Sequence, residues 1–190
     1  MSQLTFGKFL WKALLGVLII GALISFLIYA TVKTKSTSLD QVAPFSSLIG
    51  ETVVLQQDVD LLREVELKLY THDAYPYLMT HLGHARYQQH QDRMANAPSE
   101  IELVVRIPAG AEVTFEKAVN YTNGVSGFSY PSLFGTLSHE GKQYKVDYVW
   151  GEEMIGLNMK DKEETWRFAQ AAWQDKVDEN YYAVPKGNVW

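Results

Sequence analysis

The chain has 190 residues, 22 acidic against 17 basic, a net charge of −5 and no cysteine. The missing cysteine excludes disulfides, thiolate metal sites and a cysteine nucleophile. Residues 1–35 hold four lysines and no acid, so the remainder carries 17 − 4 = 13 basic against 22 acidic residues, a net of −9; that balance speaks against nucleic acid or anionic lipid as partners of this part.

Ala13 to Val32 is a run of 20 uncharged, mostly apolar residues. A hydrocarbon core of about 30 Å needs roughly 20 helical residues, so the run is predicted to cross a bilayer. Lys12 and Lys33 bracket it, and Trp11 and Tyr29 stand where amphipathic rings favour the interface. The expected division is a short cytoplasmic tail over 1–12, the span over 13–32, a flexible linker over 33–43 and an extracytoplasmic domain over 44–190.

Past the span, period-2 patterning dominates. From Gly50 one strand is expected with Val53, Leu55, Gln57, Val59 and Leu61 on one face and Gln56, Asp58 and Asp60 on the other. Glu64 to Tyr70 alternates Glu64, Glu66 and Lys68 outward with Val65, Leu67 and Leu69 inward. Residues 71–98 break the alternation and hold four of the five histidines. A helix or a long excursion is expected there; as a helix it would have Asp73 as cap and Pro76 in its first turn, and either would end at Asn96-Ala97-Pro98.

Strands resume at Ile101–Ile107 and Ala111–Phe115, joined by Pro108-Ala109-Gly110, and are expected to form a hairpin with an acidic outer face. Asn123-Gly124 and Glu140-Gly141 mark further turns, Tyr144–Trp150 alternates strictly, and Ile155, Leu157 and Met159 suggest a last short strand. Asp161 and Glu164 have capping-box spacing, and Trp166, Ala169, Trp173 and Val177 fall on one helical stripe. The expected fold is therefore a single N-terminal transmembrane helix followed by a mainly-β (α+β) domain. That domain would be a small antiparallel barrel or sandwich, SH3-like in outline, closed by a C-terminal amphipathic helix.

For chemistry, His81 and His84 at i, i+3 on a helix would present two imidazoles to zinc, while His90 lies about 180° around from His81. No spacing completes a standard metal set, and no cofactor is expected. His139-Glu140 has Gln143 where the zinc-protease motif needs histidine, and Gly124-Val-Ser126-Gly127 is followed by Phe128 rather than glycine. The expected function is a non-catalytic, inner-membrane-anchored periplasmic domain that binds another, basic protein, as an accessory subunit of an envelope complex or as an immunity-type inhibitor. Its candidate contact residues are Asp58, Asp60, Glu64, Glu66, Tyr121, Phe128 and Tyr130. The alternatives are a metal-dependent or histidine-based envelope hydrolase and a cell-wall-binding module.

Overall fold

The computed structural model describes residues 3–65, 72–158 and 164–187, with side chains from residue 8 onward, that of Asn158 aside. Helix α1 (Gln3–Val32) contains one segment, Lys8–Val32, long and apolar enough to cross a membrane; its mean hydropathy is 2.6 and none of it is buried against the rest of the chain. Among the described residues no core covers the apolar surface of this segment.

Where the sequence reads a flexible linker, the structure has a strand. Lys33 N–H still bonds to Tyr29 carbonyl, and β1 (Lys35–Ser38) begins two residues later, paired antiparallel with residues 119–122, from Lys35↔Thr122 to Ser38↔Val119. Leu39, next in the chain, is fully buried. The helix therefore passes into the sheet with almost no slack.

The remaining strands are β2 (Thr52–Val54), β3 (Val59–Glu64), β4 (Tyr77–Thr80), β5 (Ile101–Ile107), β6 (Glu112–Thr122), β7 (Ser129–His139) and β8 (Lys142–Val149), with a small separate pair of β9 (Glu152–Glu153) and β10 (Trp166–Arg167). The main sheet runs β1-β6-β7-β8-β4-β3-β5, with β2 also on β6. Pairing is antiparallel except between β4 and β8. The fold is thus one long apolar helix followed by a sheet-rich domain.

Several further expectations are corrected. The strand predicted from Gly50 is two strands, β2 and β3, broken at 55–58. Opposite that break, β5 and β6 are successive in the chain but do not pair with each other as a hairpin: β5 pairs with β3, and β6 with β1, β2 and β7. Leu55 bonds to Ala111 and Gly110 at the corner, and Gly110 takes a left-handed φ of 94° there, open to glycine without steric cost. Pro76 does not start a helix; β4 begins at Tyr77, and the helix of this region is α2 (Tyr87–Asn96), ending where expected. Near the C-terminus Ile155–Asn158 is a helical turn, α3, rather than a strand, and β10 with irregular chain replaces the amphipathic helix. Asp161 lies outside the described residues, as do Leu67 and Leu69.

The corrected C-terminal segment still finishes the core. Trp166 and Phe168 are both buried at a spacing of two, Ala171 and Ala172 follow, and Ala169 points outward. That is the burial of extended chain, with Trp166 hydrogen-bonded to Tyr182 in both directions. Phe168 packs at 4.7 Å from Trp150 and 5.4 Å from Phe45, while Trp173 lies 5.1 Å from Tyr148 and 4.8 Å from Phe115. The aromatic cluster fills one face of the sheet; α2 lies over β5 on the other side, where Leu62, Leu78 and Ile101 form a second, smaller core with Met94.

Candidate functional site

The parallel pairing Leu78↔Asp147 makes β4 and β8 end at the same edge of the sheet, beside the start of β7. The chain turns at His81–Arg86 after β4, and continues through Trp150–Glu153 after β8. Between these turns lies a cavity of 540 Å³ whose walls include His84, Arg86, Tyr130, Tyr148, Trp150 and Ile155. Its size is within the roughly 300–1,000 Å³ of ligand-accepting clefts. The Trp150 indole is fixed by donation from Nε1 to Ala169 carbonyl at 2.8 Å, and the Arg86 guanidinium lies 5.1 Å over the Tyr130 ring. Glu152 and Glu153 stand at the rim, Glu153 paired with Lys186 at 2.7 Å.

The two histidines proposed for zinc sit in the turn after β4, not on a helix. His84 N–H bonds to His81 carbonyl. Each imidazole accepts a backbone N–H on Nδ1: His81 from Gly83 at 3.2 Å and His84 from Arg86 at 3.1 Å. That fixes the proton on Nε2 in both rings. His81 Nε2 then donates to Tyr148 Oη at 2.9 Å and His84 Nε2 to Val149 carbonyl at 2.7 Å. Neither ring keeps a nitrogen for a metal, and among the described residues no group of three His, Asp or Glu side chains is gathered to hold one. Burial holds the His84 pKa down to about 3 against the help of the Val149 bond, and lowers that of His81. Both are neutral fastenings between β4 and β8.

Asp147, on β8, is buried on the opposite face of the strand from Tyr148, and burial pushes its carboxyl up to about 7 although Ser132, Arg86 and Lys117 act to lower it. His90, on α2, is also buried, and burial with the nearby Arg86 and Arg93 brings it down to about 4.

No family model, curated protein or solved structure matches this chain.

The acidic residues expected on an outer strand face are differently placed. Asp60 is buried and paired in a fork with Arg106 at 2.7 and 3.1 Å. Glu64 is buried beneath Arg93 at 2.9 Å. Asp58 stays exposed and accepts the Ala109 N–H at 3.0 Å. Glu66 lies outside the described residues. The aromatic trio is divided: Tyr121 and Tyr130 are cross-strand neighbours on β6 and β7 with rings 5.6 Å apart, and Phe128 projects from the loop between them at 63% exposure. Burial beside Asp147 pushes Tyr121 up to about 12. Of the anchor residues, Trp11 and Tyr29 are exposed on α1, and Lys33 Nζ lies 5.8 Å over the Tyr29 ring.

Of the cavity wall, the sequence singles out His84, Phe128 and Tyr130. Arg86, Tyr148 and Trp150 as site residues were not legible. The available signal is a basic residue two positions past His84, together with two aromatics at the end of a strict alternation.

Proposed function

We propose that the chain is a non-catalytic domain anchored in a bacterial inner membrane, with the sheet on the periplasmic side, and that it binds another protein through the cavity between β4, β7 and β8. The cavity carries the reading. Aromatic walls from Tyr130, Tyr148 and Trp150, a guanidinium at one side and carboxylates at the rim are the composition that accepts an apolar anchor side chain of a partner with basic neighbours. The net charge of −9 past residue 35 favours association with a basic surface, fast and weakened by salt.

The hydrolase alternative gains no support from the geometry, because the ring nitrogens of His81 and His84 are all engaged in internal hydrogen bonds. The test is photo-crosslinking in whole cells, with a photoreactive phenylalanine in place of exposed Ala85 or Glu152 on the cavity lining. One protein adduct, common to both positions and lost when Ala169→Trp fills the cavity, is expected. No adduct at either position, or an adduct indifferent to Ala169→Trp, refutes the assignment.

A further inference from the structure

The register of the first strand fixes which end of the sheet faces the membrane. β1 leaves the helix at Lys33-Thr34, and Lys35 lies opposite Thr122 at the end of β6. β6 runs antiparallel to β1, so it runs toward the helix, and the loop 123–128 continues in that direction past the level of Lys35. The loop also touches the helix end: a Cβ on Gly124 would fall 2.2 Å from the Thr31 carbonyl oxygen and 2.7 Å from that of Lys33. Residues 123–128 therefore stand level with the last turn of the segment apolar enough to span a bilayer.

This end of the sheet exposes large apolar side chains. Val125 is 74% and Phe128 63% exposed within a loop otherwise made of Asn, Gly and Ser. Leu82, two residues past the end of β4, is 81% exposed; Ile155, past the end of β8, is 69% exposed and lines the same cavity as Phe128. β4 and β8 both end on the side where β7 begins, so all four belong to one rim. The distal turn, Glu140-Gly141-Lys142, is charged instead.

We propose that this rim is a second membrane contact: Val125 and Phe128, with Leu82 and Ile155 beside them, enter the headgroup region of the leaflet from which α1 emerges. The occupant is lipid because the rim continues the surface of a helix that already requires it. The side chains are apolar, so the contact rests on burial of apolar area and not on anionic lipid. One direct consequence is that the cavity opens beside the bilayer surface. The inference goes beyond the protein-binding reading, and vesicles free of any partner test it separately.

The absence of cysteine permits single labels in the full chain. Nitroxides are placed by Val125→Cys and Phe128→Cys at the rim, Lys142→Cys at the distal turn and Ile20→Cys within α1, and the chain is reconstituted in phosphatidylcholine vesicles. Collision rates with dissolved oxygen and with a water-soluble nickel chelate give depth. The expected oxygen-to-nickel ratio at 125 and 128 lies several-fold above that at 142 and below that at 20, and Val125→Asp with Phe128→Asp returns a label at Leu82 to the aqueous value. Ratios at 125 and 128 equal to that at 142 overturn the proposal. So does spin–spin broadening at the rim that disappears on dilution with unlabelled chain, which would put a second copy there. An aqueous value at 20 removes the membrane anchor itself and the proposal with it.

Discussion

Acid acts on this core through three buried groups that pull in opposite directions. His84 and His90 titrate near 3 and 4 in the folded chain against 6.5 when free. Below 6.5 the unfolded chain binds a proton at each that the folded chain does not, so each histidine removes stability as pH falls toward its folded value. Asp147 behaves inversely: its folded pKa of about 7 lies above the ordinary 3.8, so its contribution is complete in acid and is lost as pH rises through 7. Between about pH 6.5 and 4.5 the two histidines together remove roughly 4–5 kcal/mol and Asp147 restores roughly 2–3, a net loss on the order of 2 kcal/mol. His72 and His81, both lowered chiefly by burial, add to the loss. Asp147→Asn deletes the compensating group, so its loss over the same interval should be roughly 4–5 kcal/mol, a large share of the roughly 5–15 kcal/mol of a typical domain. The assay is urea denaturation of the full chain in mild detergent, followed by emission of the core tryptophans. Midpoints that do not move between the two pH values, in both the parent and Asp147→Asn, would refute the reasoning.

Gly135 faces Phe115 across β6 and β7, and a Cβ there would lie 2.4 Å from the Thr114 carbonyl oxygen. Gly135→Ala should therefore cost about 1–3 kcal/mol or more, read as a lowered denaturation midpoint, because backbone cannot step aside as a flexible side chain can. Tyr148→Phe removes the hydroxyl bonded to His81 Nε2 and leaves a buried N–H without that partner. A loss of about 1–3 kcal/mol is expected, and hydrogen exchange should quicken at the turn after β4.

The sequence reveals elements better than their partners. The apolar span and the strands at Ile101–Ile107 and Lys142–Val149 follow from local pattern, and the Glu140-Gly141 turn from its residues: both take positive φ, 49° and 74°. β1 was invisible because Lys-Ser-Thr-Ser has no apolar alternation; pairing with β6 makes it a strand. β5 and β6 resemble a hairpin in sequence, yet the corner at 108–111 sends them to different partners, a long-range choice that no window contains. The C-terminal stripe failed because Trp166 and Phe168 are taken by the aromatic core at a spacing of two, which overrides a period of 3.6. The site was partly legible. His81 and His84 stood out, but their hydrogen bonds to Tyr148 and Val149 join residues 65 and more positions apart.

The helix joins the sheet without slack. Spin labels at Lys33 and Lys142 in reconstituted full chain measure this directly by pulsed dipolar spectroscopy. The labels lie beyond opposite ends of the β6–β7 hairpin, roughly 40 Å apart at about 3.3 Å per residue. A single narrow distance near that value is predicted. A broad distribution, as a flexible tether would give, contradicts it.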